Sequence, residues 1–288
     1  MEKVLIVVNP VSGGVDKTDI LQMVRNTLKG DHQIYELETK GEGDDIRINE
    51  EVENNKIDRI LAIGGDGTIK TIIKAVQHTS ITIGIIPAGS ANGFATDLGL
   101  PATPDEALSV AMGANCKAID VLSLNNILGL HISDVGINAE LIQKYSNGAV
   151  RGYFGYVLKS IPTLLETDLP YNFLIKCNGG EYRRRAIMVA FANSRKYGTG
   201  ALVNPQGKID DGKFEILIFK KFDVVQIINA LRGKAEMTTD FVEIIQTEHA
   251  QVQSETPVSF QIDGEYHSSL QDLEVTIIPK GIHVAVGA

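Results

Sequence analysis

An alternation of strand-like and helix-like segments constrains the fold of this chain more than any other feature. Four short apolar runs, each followed by a segment with helical spacing or a glycine-bearing turn, lie between residues 3 and 118. In order they are KVLIVV before residues 18–29, QIYELET before an acidic segment, RILAI before a helix from Thr68, and TIGIIP before NGFATDLGL. This order predicts a parallel sheet with helices on both faces, in which ligands bind at the carboxyl ends of the strands.

The pattern changes near residue 120, after which strand-like segments dominate. The alternating or β-branched segments are AIDVLSLN, LGLHISDVG, LPYNFLIKC, EYRRRAIMVAFAN, KFEILIF, VSFQID and EVTIIP. Helical patterns interrupt them at residues 139–145, 155–166 and 223–231. We therefore expect an α/β domain over residues 1–120 and a sandwich or barrel over residues 121–288.

Charge and cysteine content exclude several classes of protein. The net charge of −9 and the pI near 5.2 argue against a nucleic-acid binder and against anchoring by a polybasic patch. The two cysteines, Cys116 and Cys177, are far apart in sequence, which favours a reducing, cytoplasmic setting. No apolar stretch approaches the roughly 20 residues that span a bilayer. A chain of this kind that acts on lipid would approach the membrane from the water side.

The stretch ILAIGGDGTIKT, residues 60–71, joins a buried strand to a helix through three glycines. Glycine there allows positive φ and, lacking a Cβ, lets a ligand approach the backbone. Unpaired amides at the start of the following helix favour an anion such as phosphate. Asp66 admits two interpretations: it contacts phosphate through Mg²⁺, or it caps a helix that begins near Gly67 or Thr68.

Three further motifs are each common when taken alone. NPVSGG at residues 9–14 follows the first strand, and IPAGSANGFATDLGLP at residues 86–101 offers Ser90 and Asn92 as short polar contacts or caps. FQIDGE at residues 260–265 carries two carboxylates around an Asp-Gly pair, which is a strong hairpin signal.

Taken together and in order, these motifs resemble the diacylglycerol kinase catalytic-domain family. The segments that carry the resemblance are NPVSGG, AIGGDGTIKTII, IPAGSANGFATDLGLP, IDVLSLN, DVGINAE, IDDGKFEI and QIDGE. The resemblance implies ATP-dependent phosphorylation of a lipid hydroxyl, as in diacylglycerol. It also implies an α/β nucleotide domain similar to NAD kinases and phosphofructokinases, a C-terminal β-sandwich domain, an active site in the cleft between them, and packing of residues 280–288 back on the first domain.

The same resemblance assigns roles to individual residues. Those implied to bind nucleotide are Asn9, Ser12, Thr39, Gly64, Gly65, Asp66, Gly67, Thr68, Ser90 and Asn92. Asp66 and Asp120 resemble the acidic residues of a catalytic magnesium network, but Gly93 stands where the family has a further Asp. Glu265 is implied to be the general base.

A second magnesium site is implied outside the reaction centre. Its ligands would be the Asp211 carboxylate and the main-chain oxygens of Lys208 and Lys213. The expected partners are a lipid at the membrane surface, contacted transiently from the cytoplasm, and no nucleic acid, with a homodimer as one candidate assembly.

Two other functions remain open from the sequence. An NAD kinase-like enzyme would share GGDGT, and a nucleotide-binding regulator without catalysis would be consistent with Gly93. Residues 151–165 have the spacing of an interfacial helix and also that of a core helix, and core packing is the favoured interpretation. The accepted lipid depends on pocket shape, which periodicity does not report.

Overall fold

The computed structural model describes residues 1–14, 16–77, 79–145, 170–195, 202–223, 226, 229 and 238–287. The chain forms two compact units: unit 1 comprises Met1–Val121 and Pro279–Ala288, and unit 2 comprises Leu122–Ile278. The division at Val121 lies next to the predicted boundary at residue 120. The helices predicted at 155–166 and over most of 223–231, and the segment 151–165, lie outside the described residues.

Unit 1 is built on a parallel sheet. Its elements are β1 (Glu2–Val8), α1 (Thr18–Leu28), β2 (His32–Glu38), α2 (Asp44–Asn55), β3 (Arg59–Gly64), α3 (Asp66–Val76), β4 (Thr82–Pro87), α4 (Gly93–Asp97), α5 (Pro104–Ala111) and the first part of β5 (Cys116–Leu124). The strand order is β2-β1-β3-β4, with every pair parallel. The end of β14 (Glu265–Ala285) adds a fifth strand, in which His283 pairs with Thr82.

Both faces of this sheet are covered by helices. Val4, Ile6 and Val8 of β1 pack in one cluster with residues of α1 and α5, while α2 and α3 also contact β1. All residues from Val4 to Val8 are buried, which explains why β1 is continuously apolar and does not alternate with polar residues. The predicted α/β architecture is confirmed.

Unit 2 is an antiparallel β-sandwich. After β5 its elements are β6 (Ile127–Gly129), β7 (Ile132–Gly136), α6 (Ile137–Tyr145), β8 (Tyr171–Cys177), β9 (Gly180–Ala186), β10 (Met188–Ala192), β11 (Phe214–Phe219), β12 (Val242–Thr247), β13 (His249–Ile262) and β14. One layer has the order β12-β11-β10-β7-β13, and β13 continues into a second layer with β8, β9 and β14. The sandwich core includes Phe173, Phe191, Phe214 and Phe260.

Strand β13 belongs to both layers because it changes register part-way. Residues 250–254 pair with β8 and residues 260–262 pair with β7, and the register of β13 against β14 shifts between Gln253 and Val258 and again between Phe260 and Gln261. Pro257 lies in this interval, and proline has no N–H to donate to a strand ladder.

Two single strands predicted from the sequence are each two strands in the structure. EYRRRAIMVAFAN forms β9 and β10, because β9 pairs with β8 while β10 pairs with β7 and β11. LGLHISDVG likewise contributes to β6 and β7. Strand β12 was not predicted; only its first and last residues, Val242 and Thr247, are buried, and Ile244 is exposed. In the part of the chain that the structure describes, no helix is long and apolar enough to cross a membrane.

Candidate functional site

The loop after β3 and the loop after β4 touch backbone to backbone. A Cβ added to Gly89 would lie 2.4 Å from Gly65 Cα, and a Cβ added to Gly65 would lie 3.0 Å from Gly89 Cα. Gly65 has φ −104°, and neither Gly64 nor Gly67 has positive φ. The expectation that these glycines supply positive φ is therefore wrong, because close packing of the two loops is what excludes a side chain at Gly65 and Gly89.

Asp66 joins the starts of two helices. Its carboxylate accepts hydrogen bonds from Gly93 N–H and Phe94 N–H, both at 2.9 Å. Helix α3 begins at Asp66 itself and has no side-chain cap, so the interpretation of Asp66 as the cap of its own helix is wrong. The carboxylate instead satisfies the first amides of α4, which would otherwise lack an intrahelical acceptor. Gly93 takes part through its backbone N–H.

Asn92 holds the β4 loop against the β3 loop. Its side-chain Oδ1 accepts from Gly89 N–H at 2.8 Å, and its Nδ2 donates to Gly89 O at 3.0 Å. The residue has φ 51°, a left-handed conformation that Asn tolerates better than most residues. The Asn92 amide thus fixes Gly89, while the neighbouring Ser90 is exposed.

Asn9 and Ser12 shape the loop after β1. Asn9 Oδ1 accepts from Val11 N–H at 3.1 Å and from Ser12 N–H at 3.2 Å. The buried Lys17 donates its ammonium to Ser12 O, a contact that the sequence did not suggest. A Cβ on Gly65 would lie 3.4 Å from Ser12 Oγ, so the β1 loop reaches the same place as the other two.

A pocket of about 490 Å³ opens at the carboxyl ends of β1, β2 and β3. It is lined by Asn9, Pro10, Val11, Thr39, Lys40, Gly41, Asp44, Gly67, Thr68 and Thr71. The structure therefore brings together four of the residues predicted to bind nucleotide. A Cβ on Gly67 would meet nothing within 4 Å, so the space beside the first turn of α3 is open.

Asp44 is a pocket residue that sequence reasoning missed, since no role was assigned to the acidic segment after QIYELET. Its side chain is buried, and Oδ2 accepts from the N–H groups of Lys40 and Gly41, both at 2.7 Å. Oδ1 forms an ion pair with Arg47 at 2.6 Å. Asp44 thereby fixes the loop that follows Thr39.

Asp120 is buried in unit 1, next to the start of the segment Pro279–Ala288. Its Oδ1 accepts from Lys280 N–H at 2.7 Å, and Lys280 has φ 52°. This hydrogen bond fixes the first residues of the segment Pro279–Ala288.

In unit 2, Glu265 directly follows a two-residue hairpin turn. Asp263 and Gly264 have φ 50° and 88°, the combination of a type I′ turn, and Ile262 pairs with Glu265 across it. The Glu265 side chain is exposed. The Asp263 carboxylate accepts from His131 N–H at 2.8 Å, so the turn is attached to the loop before β7.

The loop predicted to hold a second magnesium ion lies beside a buried polar network. Asp211 Oδ1 accepts from Lys213 N–H at 3.1 Å, and Oδ2 accepts from Gln246 at 3.3 Å. Gln246 also donates to the buried Glu215, at 2.9 Å. Lys208 is exposed. Among the described residues, no group of three or more His, Cys, Asp or Glu side chains is arranged to hold a metal ion.

Comparison with known families accounts for both units. Residues 3–124 match the diacylglycerol kinase catalytic domain, and residues 134–286 match the YegS C-terminal NAD kinase beta sandwich-like domain. The chain belongs to the diacylglycerol kinase catalytic-domain family. The expected family and its two-domain fold are thereby confirmed.

Named relatives match this protein over most of its length. It is 30% identical to the probable lipid kinase YegS-like of Chromohalobacter salexigens, over 86% of this chain and 82% of the relative. It is 26% identical to the probable lipid kinase YegS of Escherichia coli O127:H6, over 83% and 82%. A solved structure of a diacylglycerol kinase from Bacillus anthracis str. Sterne superposes with a TM-score of 0.76 at 21% identity, covering 99% of this chain and 97% of the other. That similarity supports the fold.

Proposed function

We propose that this chain transfers the terminal phosphoryl group of ATP to a hydroxyl of a lipid such as diacylglycerol. The observation that carries the proposal is the contact of Gly65 with Gly89 next to a pocket lined by Gly67 and Thr68. This contact holds the start of α3 at the edge of an open space, where helix amides and dipole favour phosphate.

Unit 1 binds the nucleotide in this proposal. The amides of residues 64–68 contact the phosphates, with Asn9, Ser12 and Thr39 forming the neighbouring wall. Ser90, exposed beside Gly89, contacts the nucleotide from the β4 loop. Asn92 acts on the nucleotide indirectly, because its side-chain amide already binds Gly89.

Asp66 would hold Mg²⁺ through water. A carboxylate offers about four acceptor positions, so its two amide hydrogen bonds are compatible with a water-mediated cation. Mg²⁺ keeps several waters and is commonly bound by one or two carboxylates together with substrate phosphates, which suits Asp66 with the buried Asp120 as a second acidic group. When bound, the ion would neutralise charge on the phosphates.

Unit 2 would bind the lipid and supply the base. Glu265 accepts the proton of the lipid hydroxyl while the oxygen of that hydroxyl forms the new bond to phosphorus and ADP leaves. A rigid hairpin turn suits this role because it fixes the backbone that carries the carboxylate. Asp211 and the main-chain oxygens of Lys208 and Lys213 would hold the second Mg²⁺, away from the reaction.

The substrate would be reached at the cytoplasmic surface of a membrane. The protein would bind there transiently and, in one candidate assembly, as a homodimer.

The test is phosphate transfer from labelled ATP to separate vesicle preparations containing diacylglycerol, phosphatidylglycerol, a sphingoid base or an isoprenoid alcohol, with Mg²⁺ present. Glu265→Gln is expected to retain ATP binding and to lose transfer by about 100-fold or more, as for a general base. Glu248→Gln is the matched control, since Glu248 is exposed between β12 and β13.

Two results would overturn the proposal. Phosphorylation of NAD in a lipid-free arm, without transfer to any lipid, would assign an NAD kinase-like activity. ATP binding without transfer to any acceptor would assign a regulator without catalysis.

A further inference from the structure

The turn that carries Glu265 is attached to a fully buried glutamine. Gly264 N–H donates to Gln261 Oε1 at 2.7 Å, and Gln261 has no exposed surface. Gln261 lies on β13, four residues before Glu265. A two-residue type I′ turn forms without such help when its central residues adopt positive φ, as Asp263 and Gly264 do here. The glutamine contact is therefore additional to what the hairpin itself requires.

The orientation of the Gln261 amide is set by a buried carboxylate. Gln261 Nε2 donates to Asp134 Oδ2 at 2.5 Å, and Asp134 on β7 is also fully buried. Asn138 on α6 donates to the same oxygen at 2.7 Å. Because a carboxylate only accepts and a backbone N–H only donates, a single orientation of the amide satisfies both Asp134 and Gly264.

Burying these groups has an energetic cost that an apolar pair would avoid. Removing a carboxylate and an amide from water costs several kcal/mol unless hydrogen bonds compensate, and well-packed apolar residues often serve stability equally well. Hydrogen bonds, however, fix the orientation of the groups that they join more sharply than apolar contacts do. The last group that this network orients is the N–H of Gly264, the residue before Glu265.

A second attachment holds the other central residue of the turn. The Asp263 carboxylate accepts from Leu130 N–H at 3.0 Å and from His131 N–H at 2.8 Å. The turn is thus fixed at Asp263 through one loop and at Gly264 through the buried network. Both attachments belong to unit 2.

We propose that Gln261 is a positioning residue for Glu265: oriented by Asp134, it fixes Gly264 and so sets the direction of the Glu265 carboxylate toward the acceptor hydroxyl. The inference rests on the proposed function, in which Glu265 takes the proton. Displacement of a reacting group by about 1 Å costs on the order of 100-fold in rate, so a small rotation of the turn has a large effect.

The first experiment measures the turn without using activity. Hydrogen exchange of the Gly264 amide is compared in the wild type, Gln261→Leu and Gln251→Leu. Gln251 is on the same strand but exposed, which makes it the matched control. Faster exchange at Gly264 is expected in Gln261→Leu alone. Unchanged exchange in a folded Gln261→Leu protein would overturn the inference and leave the proposed function standing.

The second experiment measures kcat and the KM for ATP. Gln261→Leu is expected to lower kcat by about 10- to 100-fold with the KM for ATP within twofold. The double variant Asp134→Asn with Gln261→Glu reverses donor and acceptor between the two side chains while keeping an acceptor for Gly264. Asn138 can turn its amide so that its oxygen accepts from the new amide at position 134, and the variant should recover most of kcat. This rescue is not expected if the network serves stability alone, and its absence would count against a positioning role.

A third arm asks whether Gln261 acts through Glu265. In a Glu265→Gln background, Gln261→Leu should lower the residual rate by less than twofold. An equal loss in both backgrounds would overturn the inference. A wild-type protein that phosphorylates no acceptor would overturn the proposed function, and Gly264 exchange would still decide whether Gln261 fixes the turn.

Discussion

Gly89 and Gly67 lack a side chain for two different physical reasons. At Gly89 an added Cβ would lie 2.4 Å from the Cα of Gly65, which is backbone and has little freedom to move. At Gly67 an added Cβ would meet no protein atom within 4 Å and would project beside the pocket. The first glycine therefore allows the close packing of the two loops, and the second leaves open space beside the pocket.

Alanine at these two positions is expected to separate stability from nucleotide binding. Gly89→Ala should lower the free energy of unfolding by about 1–3 kcal/mol through overpacking. Gly67→Ala should leave it within about 0.5 kcal/mol, since alanine suits a helix, while weakening ATP binding about tenfold. Urea unfolding and ATP titration measure the two quantities. A folded Gly67→Ala protein with unchanged ATP affinity would show that this space does not receive phosphate.

At the scale of elements, Asp66 links α3 and α4 across 27 residues of sequence. Asp66→Asn keeps one acceptor oxygen and loses the other, leaving an α4 amide without its partner. The free energy of unfolding should fall by about 1–3 kcal/mol. Asp45→Asn is the control, because Asp45 pairs with Lys74, whose side chain is 64% exposed, and such surface pairs contribute less than about 1 kcal/mol. Equal losses in the two variants would argue against the capping role.

Strands β9 and β12 are joined by an ion pair whose strength depends on pH. The Arg184 guanidinium, hydrogen-bonded to Glu243, holds the pKa of that carboxyl below its ordinary value of 4.5, and Lys220 acts in the same direction. A carboxyl whose pKa is lowered by folding stabilises the folded state above pH 4.5, and this contribution is lost as the pH falls through the folded-state pKa.

The expected consequence is a pH-dependent difference between two arginine variants. Arg184→Ala should cost up to about 1 kcal/mol at pH 7, since both side chains are partly solvated and screened, and the cost should shrink below pH 4.5. Arg183→Ala, on the exposed side of β9, should cost little at either pH. Urea unfolding at pH 7 and pH 4 measures both. A cost for Arg184→Ala that does not change with pH would assign it to packing against Tyr182.

The sequence predicted elements well where a run of neighbouring residues is buried, and it did not predict contacts between residues that are far apart in the chain. The apolar runs that form β1, β3 and β4 predicted these parallel strands because nearly all of their residues are buried, whereas in β2 only Leu37 is buried. The contact of Asp66 with Gly93 and the path from Asp134 to Gly264 join residues 27 and 130 positions apart, and no local spacing records them. Sequence therefore identified the loops of the candidate site but not what holds them in place.

At the scale of the whole molecule, the last strand of unit 1 comes from residues that follow unit 2 in the sequence. The fifth strand of the parallel sheet comes from the end of β14, where Ile282 and Val284 are buried and Val286 N–H donates to Asn115 O at 3.1 Å. This strand lies next to β4, whose carboxyl end leads into the loop of Gly89. The stability of the Gly89 loop should therefore depend on residues 282–286.

Removal of residues 281–288 is expected to weaken unit 1 and with it ATP binding. Loss of two fully buried aliphatic side chains should lower the free energy of unfolding by about 3–6 kcal/mol, and β4 would become an edge strand. Removal of residues 287–288 alone is the control, because Gly287 is not tightly packed: a Cβ added to it would meet no atom within 4 Å. ATP titration and thermal unfolding of both truncated proteins measure the effect. ATP affinity that survives the longer truncation would mean that the strands β1 to β4 suffice to hold Gly64–Thr68 in place. Loss of ATP affinity in the longer truncation alone would mean that nucleotide binding by Gly64–Thr68 depends on the strand from β14, although the two are far apart in sequence.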